Sequence, residues 1–546
     1  MNLNPKNKPI VILSLLAVIF FFIYSFLNFS SPSQHFTWPD ETANYFFINN
    51  FIQHSSFSVP EPLNAIAGDL VKPRSFNVYQ GNLVPGSFLG LLLIYGLIGK
   101  IVGIGLVKFL TPLLAAIAGL FFYKILLKVF DSKIAFISAL LFYLNPAWWY
   151  YANFSMLPNI AFLTFLMMGV YWLLKIDKNI KQKNYLLVIL GAFFVGLALI
   201  IRTNEFLWIL GLLALLLVVY KQKVKWQYLV IFGAALALVF VPIFYYNQLT
   251  YGNFLSFGYL RLQNGTDLAS QLPAEFKTNT SNYYNLIKFI ILPFGLHPKP
   301  MLASFYAYII KLFWWPALTA ICGLFIFFRK YHSQAQAVYF LIAFGVSLYL
   351  WAYYGSWIFA DVMTLQLNHL GISYVRYFLP IYILGLPLAA IALVYLVNLF
   401  KNAKIRKLAS VFLILITVGF LLSALFISGE DNLVKTSQYL KNYSKINQQV
   451  ITATEANSVI ISERGDKIFF PERKVIGRWE AKDFGSWTSL LDNNIPLYYY
   501  AYEGEDFITK LNDTLFEYSI ELAGKTQITA KESLYKIDWI SYDKEY

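Results

Sequence analysis

Reactive side chains are scarce in this sequence of 546 residues: one cysteine, five histidines and a charged fraction of 13%. The lone Cys322 excludes an intramolecular disulfide framework and leaves the redox compartment open. No P-loop, nucleophile motif or tandem repeat is found. Acidic residues number 29 against 43 Lys and Arg, a formal net charge of +14. Such an excess can signal nucleic acid, but these lysines sit between apolar runs, where membrane topology accounts for them. No nucleic-acid partner is expected.

Apolar surface is plentiful instead. Hydrophobic residues make up 58% of the chain and aromatics 19%, with a mean hydropathy of +0.56, the composition of a polytopic membrane protein. Runs of roughly 18 to 25 apolar residues recur, long enough to cross about 30 Å of hydrocarbon as helices. The first, 10–29, follows Lys6 and Lys8, lacks a small-residue cleavage site and exceeds a signal-peptide core, so a retained helix is expected. Most aromatics, Phe20-Phe21-Phe22 and Trp314-Trp315 among them, read as a lipid-facing or interfacial belt.

Basic clusters decide which runs cross. They fall at Lys6/Lys8, Lys124/Lys128/Lys133, Lys175/Lys178/Lys181/Lys183, Lys221/Lys223/Lys225, Arg329/Lys330 and Lys401/Lys404/Arg406/Lys407. If all are cytoplasmic, an even number of crossings separates consecutive clusters. The short, glycine-rich run 84–99 is therefore expected to be re-entrant or interfacial, and the proline-interrupted run 284–297 likewise. Eleven spans remain: 10–29, 104–123, 134–152, 157–174, 184–201, 205–220, 226–246, 304–328, 334–354, 374–398 and 408–427. Thirteen is the alternative if both short runs cross. The N-terminus is expected inside and the C-terminal tail outside, in a cell membrane.

The outer face would then carry a long first loop, 30–103, an aromatic loop near Trp148 to Asn159, a third loop, 247–303, with Asp267, Glu275 and His297, and a fourth, 355–373, with Asp361 and His369. From 429 onward the composition turns soluble. Segments 449–452, 458–461, 474–476 and 497–500 read as strands and 431–447 and 504–516 as helices, a small α/β domain without a phosphate-binding fingerprint or a metal-ligand cluster. The division expected is thus 1–428 in the membrane and 429–546 outside it. The fold class is an all-α polytopic bundle with a small C-terminal α/β domain.

Within the first loop, Thr37-Trp38-Pro39-Asp40-Glu41 has capping-box spacing, with Thr37 as cap and Asp40 at the third helical position. The two carboxylates could simply satisfy the helix dipole; held at headgroup depth, they could instead act as a base or a ligand. The helix they open has apolar positions Tyr45, Phe46, Ile48, Phe51 and Ile52, which suggests that it lies on the membrane surface. Lys72 and Arg74 could touch a substrate or anionic lipid. Trp148 and Tyr151 could stack on a sugar.

An Asp-Glu pair on a juxtamembrane helix resembles the GT-C superfamily of polyprenyl-phosphate-sugar-dependent glycosyltransferases, in its protein mannosyltransferase and aminoarabinose transferase branch. Asn145-Pro146-Ala147-Trp148-Trp149-Tyr150-Tyr151, Gly196-Leu197-Ala198-Leu199-Ile200-Ile201-Arg202 and Arg376-Tyr377-Phe378-Leu379-Pro380 resemble three further stretches of that family, in the same order. The resemblance covers about residues 10 to 425. It implies that Asp40 is the base or electrostatic anchor at the reacting hydroxyl and that Glu41 positions the acceptor. Arg202, Arg376 and His297 would meet the donor phosphate, with Lys72, Arg74, Trp148, Tyr151 and Asn159 as further contacts. A glycan, lipid or protein hydroxyl would be the acceptor. One departure stands out: Asn159 occupies a position where the family commonly has aspartate, and an amide is a weak ligand for a hard cation, which argues against a divalent-metal mechanism. Rival readings are an O-antigen ligase or polymerase, a transporter or lipid flippase, and an inactive scaffold.

Overall fold

The computed structural model describes residues 8–30, 35–177, 181–261, 291–357, 369–477, 483–502 and 504–540. Asp267, Glu275, Asp361 and the start of the run 284–297 lie outside them. Contacts divide the chain into two units, residues 1–30, 108–243 and 272–435 in the first, and 31–107, 244–271 and 436–546 in the second. The first loop thus groups with the C-terminal segment.

The first unit is built of apolar helices. Among the described residues, six helices are long and apolar enough to cross a membrane: Ile104–Leu126, Asn184–Ile201, Trp226–Tyr251, Gln334–Gly355, Leu379–Asn398 and Ala403–Ile427. Two bent pairs also qualify when each is taken as one span, Pro146–Asn153 with Pro158–Leu173 (116°) and Pro298–Lys311 with Trp314–Lys330 (95°). Shorter apolar helices at Lys8–Tyr24, Ser132–Tyr143 and Thr203–Val219 occupy three further expected runs, so eleven exceeds what length and apolarity alone support. Rows of exposed apolar side chains, such as Val230, Leu238 and Val241, suit a lipid-facing surface. This is a multi-pass membrane protein.

Several expected spans are interrupted, 10–29 at Ser25 and 374–398 at Phe378 among them, and two breaks have a clear local cause. The run 134–152 stops at Tyr143 and restarts at Pro146, because Asn145 accepts from the Trp148 amide at 3.0 Å and proline opens the new helix. The run 304–328 breaks after the π-helical Tyr306–Lys311, and a new helix starts at Trp314 with Pro316, which has no amide to give, in its first turn.

In the second unit, strands β1 (Val59–Pro60), β2 (Phe76–Tyr79) and β3 (Asn82–Pro85) form an antiparallel sheet of order β1-β3-β2. Strands β4 (Val459–Ser462), β5 (Lys474–Ile476), β6 (Leu497–Ala501), β7 (Ile520–Thr529) and β8 (Glu532–Trp539) form a second sheet of order β5-β4-β6-β8-β7. Its β5-β4-β6 part is parallel and the rest antiparallel. Ala67 and Val71 from the first loop share a core with Ile461, Trp487 and Leu497. Lys474 meets Glu61 at 2.5 Å.

Three expectations change here. Residues 449–452 are helical, the end of Leu433–Ala453, because Val450 buries itself along a helical face and tertiary packing outweighs β-branched propensity. The helix carrying the acidic pair runs Pro39–His54 with Trp38, not Thr37, in the cap position and no side-chain capping bond. That helix also turns its apolar face into protein: Phe47, Ile48 and Phe51 are fully buried, and Gly96 of helix Leu89–Val102 sits where a Cβ would lie 2.5 Å from the Phe51 ring.

Candidate active site

In the second unit, Pro39 occupies the first helical position, so Asp40 and Glu41 follow in the first turn, where the helix dipole favours negative charge. Glu41 is buried, whereas Asp40 keeps partial exposure. Asp40 Oδ1 accepts from the Ser75 hydroxyl at 2.6 Å. Arg74 joins Asp466, its Nε at 2.9 Å and Nη2 at 2.6 Å from Oδ1, with the Arg74 amide 2.7 Å from Oδ2. Lys72 is buried, with Nζ donating to the Asp69 carbonyl at 3.2 Å. Lys467, beside Asp466, donates to the Thr37 carbonyl just before the acidic helix and stands 5.4 Å from the Tyr443 ring. Burial, with the charge of Arg74, lowers the Lys467 ammonium to about 7 against the opposing pull of Asp466 and Glu41.

In the first unit, two of the expected residues flank Tyr377 and a third bonds to one of them. The guanidiniums of Arg202 and Arg376 lie 4.9 and 5.0 Å from its ring centre. Asn159, in the first turn of Pro158–Leu173, donates its amide to the Arg376 carbonyl at 3.2 Å. Arg202 is buried and paired: Nε and Nη2 reach Glu205 Oε1 at 3.0 and 2.6 Å, and Nη2 also donates to the Tyr354 hydroxyl at 2.9 Å. Arg376 remains part-exposed, with Nη2 3.2 Å from Ser373 Oγ. His297 is exposed and occupies the cap position of Pro298–Phe305 without a side-chain capping bond, its own backbone amide donating to Ser356 two residues beyond Tyr354.

The aromatic candidates are inside. Trp148 is fully buried and donates to the Ala115 carbonyl at 3.3 Å; Tyr151, also buried, donates to the carbonyls of Leu370 at 2.8 Å and Ile372 at 3.0 Å. An apolar cavity of about 310 Å³ lies among Phe313, Ile321, Leu324, Phe344 and Leu388 in this unit.

Solved structures share this architecture. An archaeal oligosaccharyltransferase, AglB from Archaeoglobus fulgidus in complex with an inhibitory peptide and a dolichol-phosphate, aligns over 90% of this chain and 69% of its own at 12% identity, TM-score 0.54. ArnT from Cupriavidus metallidurans aligns over 98% of both chains at 11% identity, TM-score 0.50. This chain has the GT-C fold. No protein-family profile and no curated protein sequence matches it.

For a chain of GT-C fold, the structure adds Ser75, Asp466, Lys467 and Asp431, which the sequence did not single out, and gives His369 of the fourth loop a partner. Ser75 and the Asp466–Lys467 pair surround the start of the acidic helix, and His369 Nδ1 lies 2.6 Å from Asp431 Oδ2, with Tyr150 donating to the Asp431 carbonyl at 3.0 Å. None carries a spacing signal; only the tertiary structure joins them. Among the described residues, no three His, Cys, Asp or Glu side chains group as a metal site.

Proposed function

We propose that this protein is a membrane glycosyltransferase that moves a sugar from a polyprenyl-phosphate carrier to an acceptor hydroxyl on the non-cytoplasmic side, with inversion. The observation that carries the reading is Asp40: a part-exposed carboxylate at a helix start, held by a hydroxyl donor, in a chain of GT-C fold. In this reading Asp40 takes the acceptor proton as the acceptor oxygen attacks the anomeric carbon. The bond from that carbon to the phosphate oxygen breaks, and polyprenyl phosphate leaves with the electron pair. Glu41 helps to position the acceptor. The leaving phosphate carries its own negative charge, so it needs cations rather than a protonating acid, and Arg376 is the accessible candidate. Arg202 supports it across Tyr377, and His297 adds a polar contact to the donor. Lipid dependence is supported by the AglB structure, which holds a dolichol-phosphate. The acceptor is a glycan, lipid or protein hydroxyl.

Two measurements test this. Mass spectrometry of lipid co-purified with the protein should find a polyprenyl-phosphate sugar. Replacing Asp40→Asn should leave an abundant, folded protein whose transfer rate falls by roughly 100- to 10,000-fold. Transfer at the parent rate would overturn the role given to Asp40.

A further inference from the structure

Ser75 lies in the left-handed region, at φ +67°, a conformation that a serine keeps only where its surroundings hold it. Those surroundings are explicit. The Ser75 carbonyl accepts from the Gly86 amide at 3.0 Å, and a Cβ on Gly86 would lie 2.6 Å from that same oxygen, so only glycine permits the approach. On its C-terminal side Phe76 opens β2 and packs against Phe47 and Phe470, at centroid distances of 4.8 and 5.0 Å. On its N-terminal side Arg74 is bound by three hydrogen bonds to Asp466, whose side chain has 0% exposure. The turn is therefore gripped from both ends, and its outcome is a hydroxyl aimed at Asp40.

We propose that Ser75 is a positioning residue for the Asp40 carboxylate, and that Asp466 of the C-terminal domain holds, through Arg74, the turn that presents it. The inference rests on the reading of Asp40 as the base of the transfer. A donated hydrogen bond to Oδ1 selects one carboxylate rotamer while the group retains lone pairs for the incoming proton. The left-handed backbone at Ser75 is the strain that this presentation requires. It gives the C-terminal domain, which carries no chemistry of its own in this reading, a part in setting the rate.

Glycine separates a role for the hydroxyl from a role for the turn. Ser75→Gly takes the same φ without steric cost, so the turn is kept and only the hydroxyl is lost. In the full-length protein, assayed by polyprenyl phosphate released from undecaprenyl-phosphate-linked mannose, galactose and aminoarabinose, Ser75→Gly should lose kcat by roughly ten- to a hundredfold. KM should stay within about twofold, with Tm equal to or above the parent. Ser75→Asn, which tolerates the left-handed region and carries an amide donor, should recover part of the rate. Asp466→Asn should lower kcat in the same way, and the two losses should be non-additive. Parent-level turnover by Ser75→Gly, in preparations where Asp40→Asn is inactive, overturns the inference alone. Full activity of Asp40→Asn overturns the underlying role of Asp40 and the inference with it. Additive losses overturn the part assigned to Asp466.

Discussion

Arg202 and Arg376 flank one tyrosine ring, yet their surroundings separate them. Arg202 has 6% exposure and binds Glu205 and Tyr354, so its charge is largely answered within the protein. A buried pair of this kind is weak evidence of net stabilisation but expensive to break on one side. Replacing Arg202→Met alone should cost about 3–5 kcal/mol, because Glu205 is left buried without its cation. The double replacement Arg202→Met with Glu205→Leu should recover most of that loss, as read by thermal unfolding in detergent. Both arginines were legible in the sequence as charges at the ends of apolar runs. Which of them is consumed by a neighbour was not, since Tyr354 lies 152 residues from Arg202.

At the scale of elements, the start of helix Pro39–His54 is shared with a segment far along the chain. The short helix Asp466–Phe469 brings Lys467 to the Thr37 carbonyl, near Glu41, Arg74, Arg464 and Asp466. The folded ammonium is lowered to about 7, below its ordinary value, so protonation opposes folding. That penalty is fully present below about 7 and fades as pH rises toward the unfolded value near 10.4. Lys467→Met should therefore gain Tm relative to the parent at pH 6 more than at pH 10, a difference measurable by calorimetry. Individual elements were read from sequence with varied success. Strand β5, Lys474–Ile476, falls where expected and β6, Leu497–Ala501, runs one residue longer, because short β-branched and aromatic runs are local signals. Strands β7 and β8 were missed: polar residues such as Lys525, Gln527 and Lys536 interrupt their apolar runs, and the exposed middle of β7 leaves no apolar signal to read.

For the whole molecule, the division into two units carries the main consequence. Residues 31–107, which take in nearly all of the first loop, belong with residues 436–546 and share their core through Ala67 and Val71. Removing 436–546 would expose that core and leave Arg74 without Asp466 and Glu61 without Lys474. The truncated chain should lose transfer and show protease cleavage between 31 and 107, while the helices of the first unit stay protected. Equal protease resistance of that loop in the two forms would contradict the grouping.

The sequence by itself determined a multi-pass membrane protein with a small C-terminal α/β region, and it marked the acidic pair. Hydropathy and charge density are local properties, summed over a score of neighbouring residues, so they survive without a fold. The tertiary structure alone decided the hydroxyl on Asp40 and the bond between Arg74 and Asp466, residues 392 positions apart. Hydrogen bonds and ion pairs depend on ångström-scale proximity, and a linear pattern holds no record of which distant residues the folded chain brings within reach.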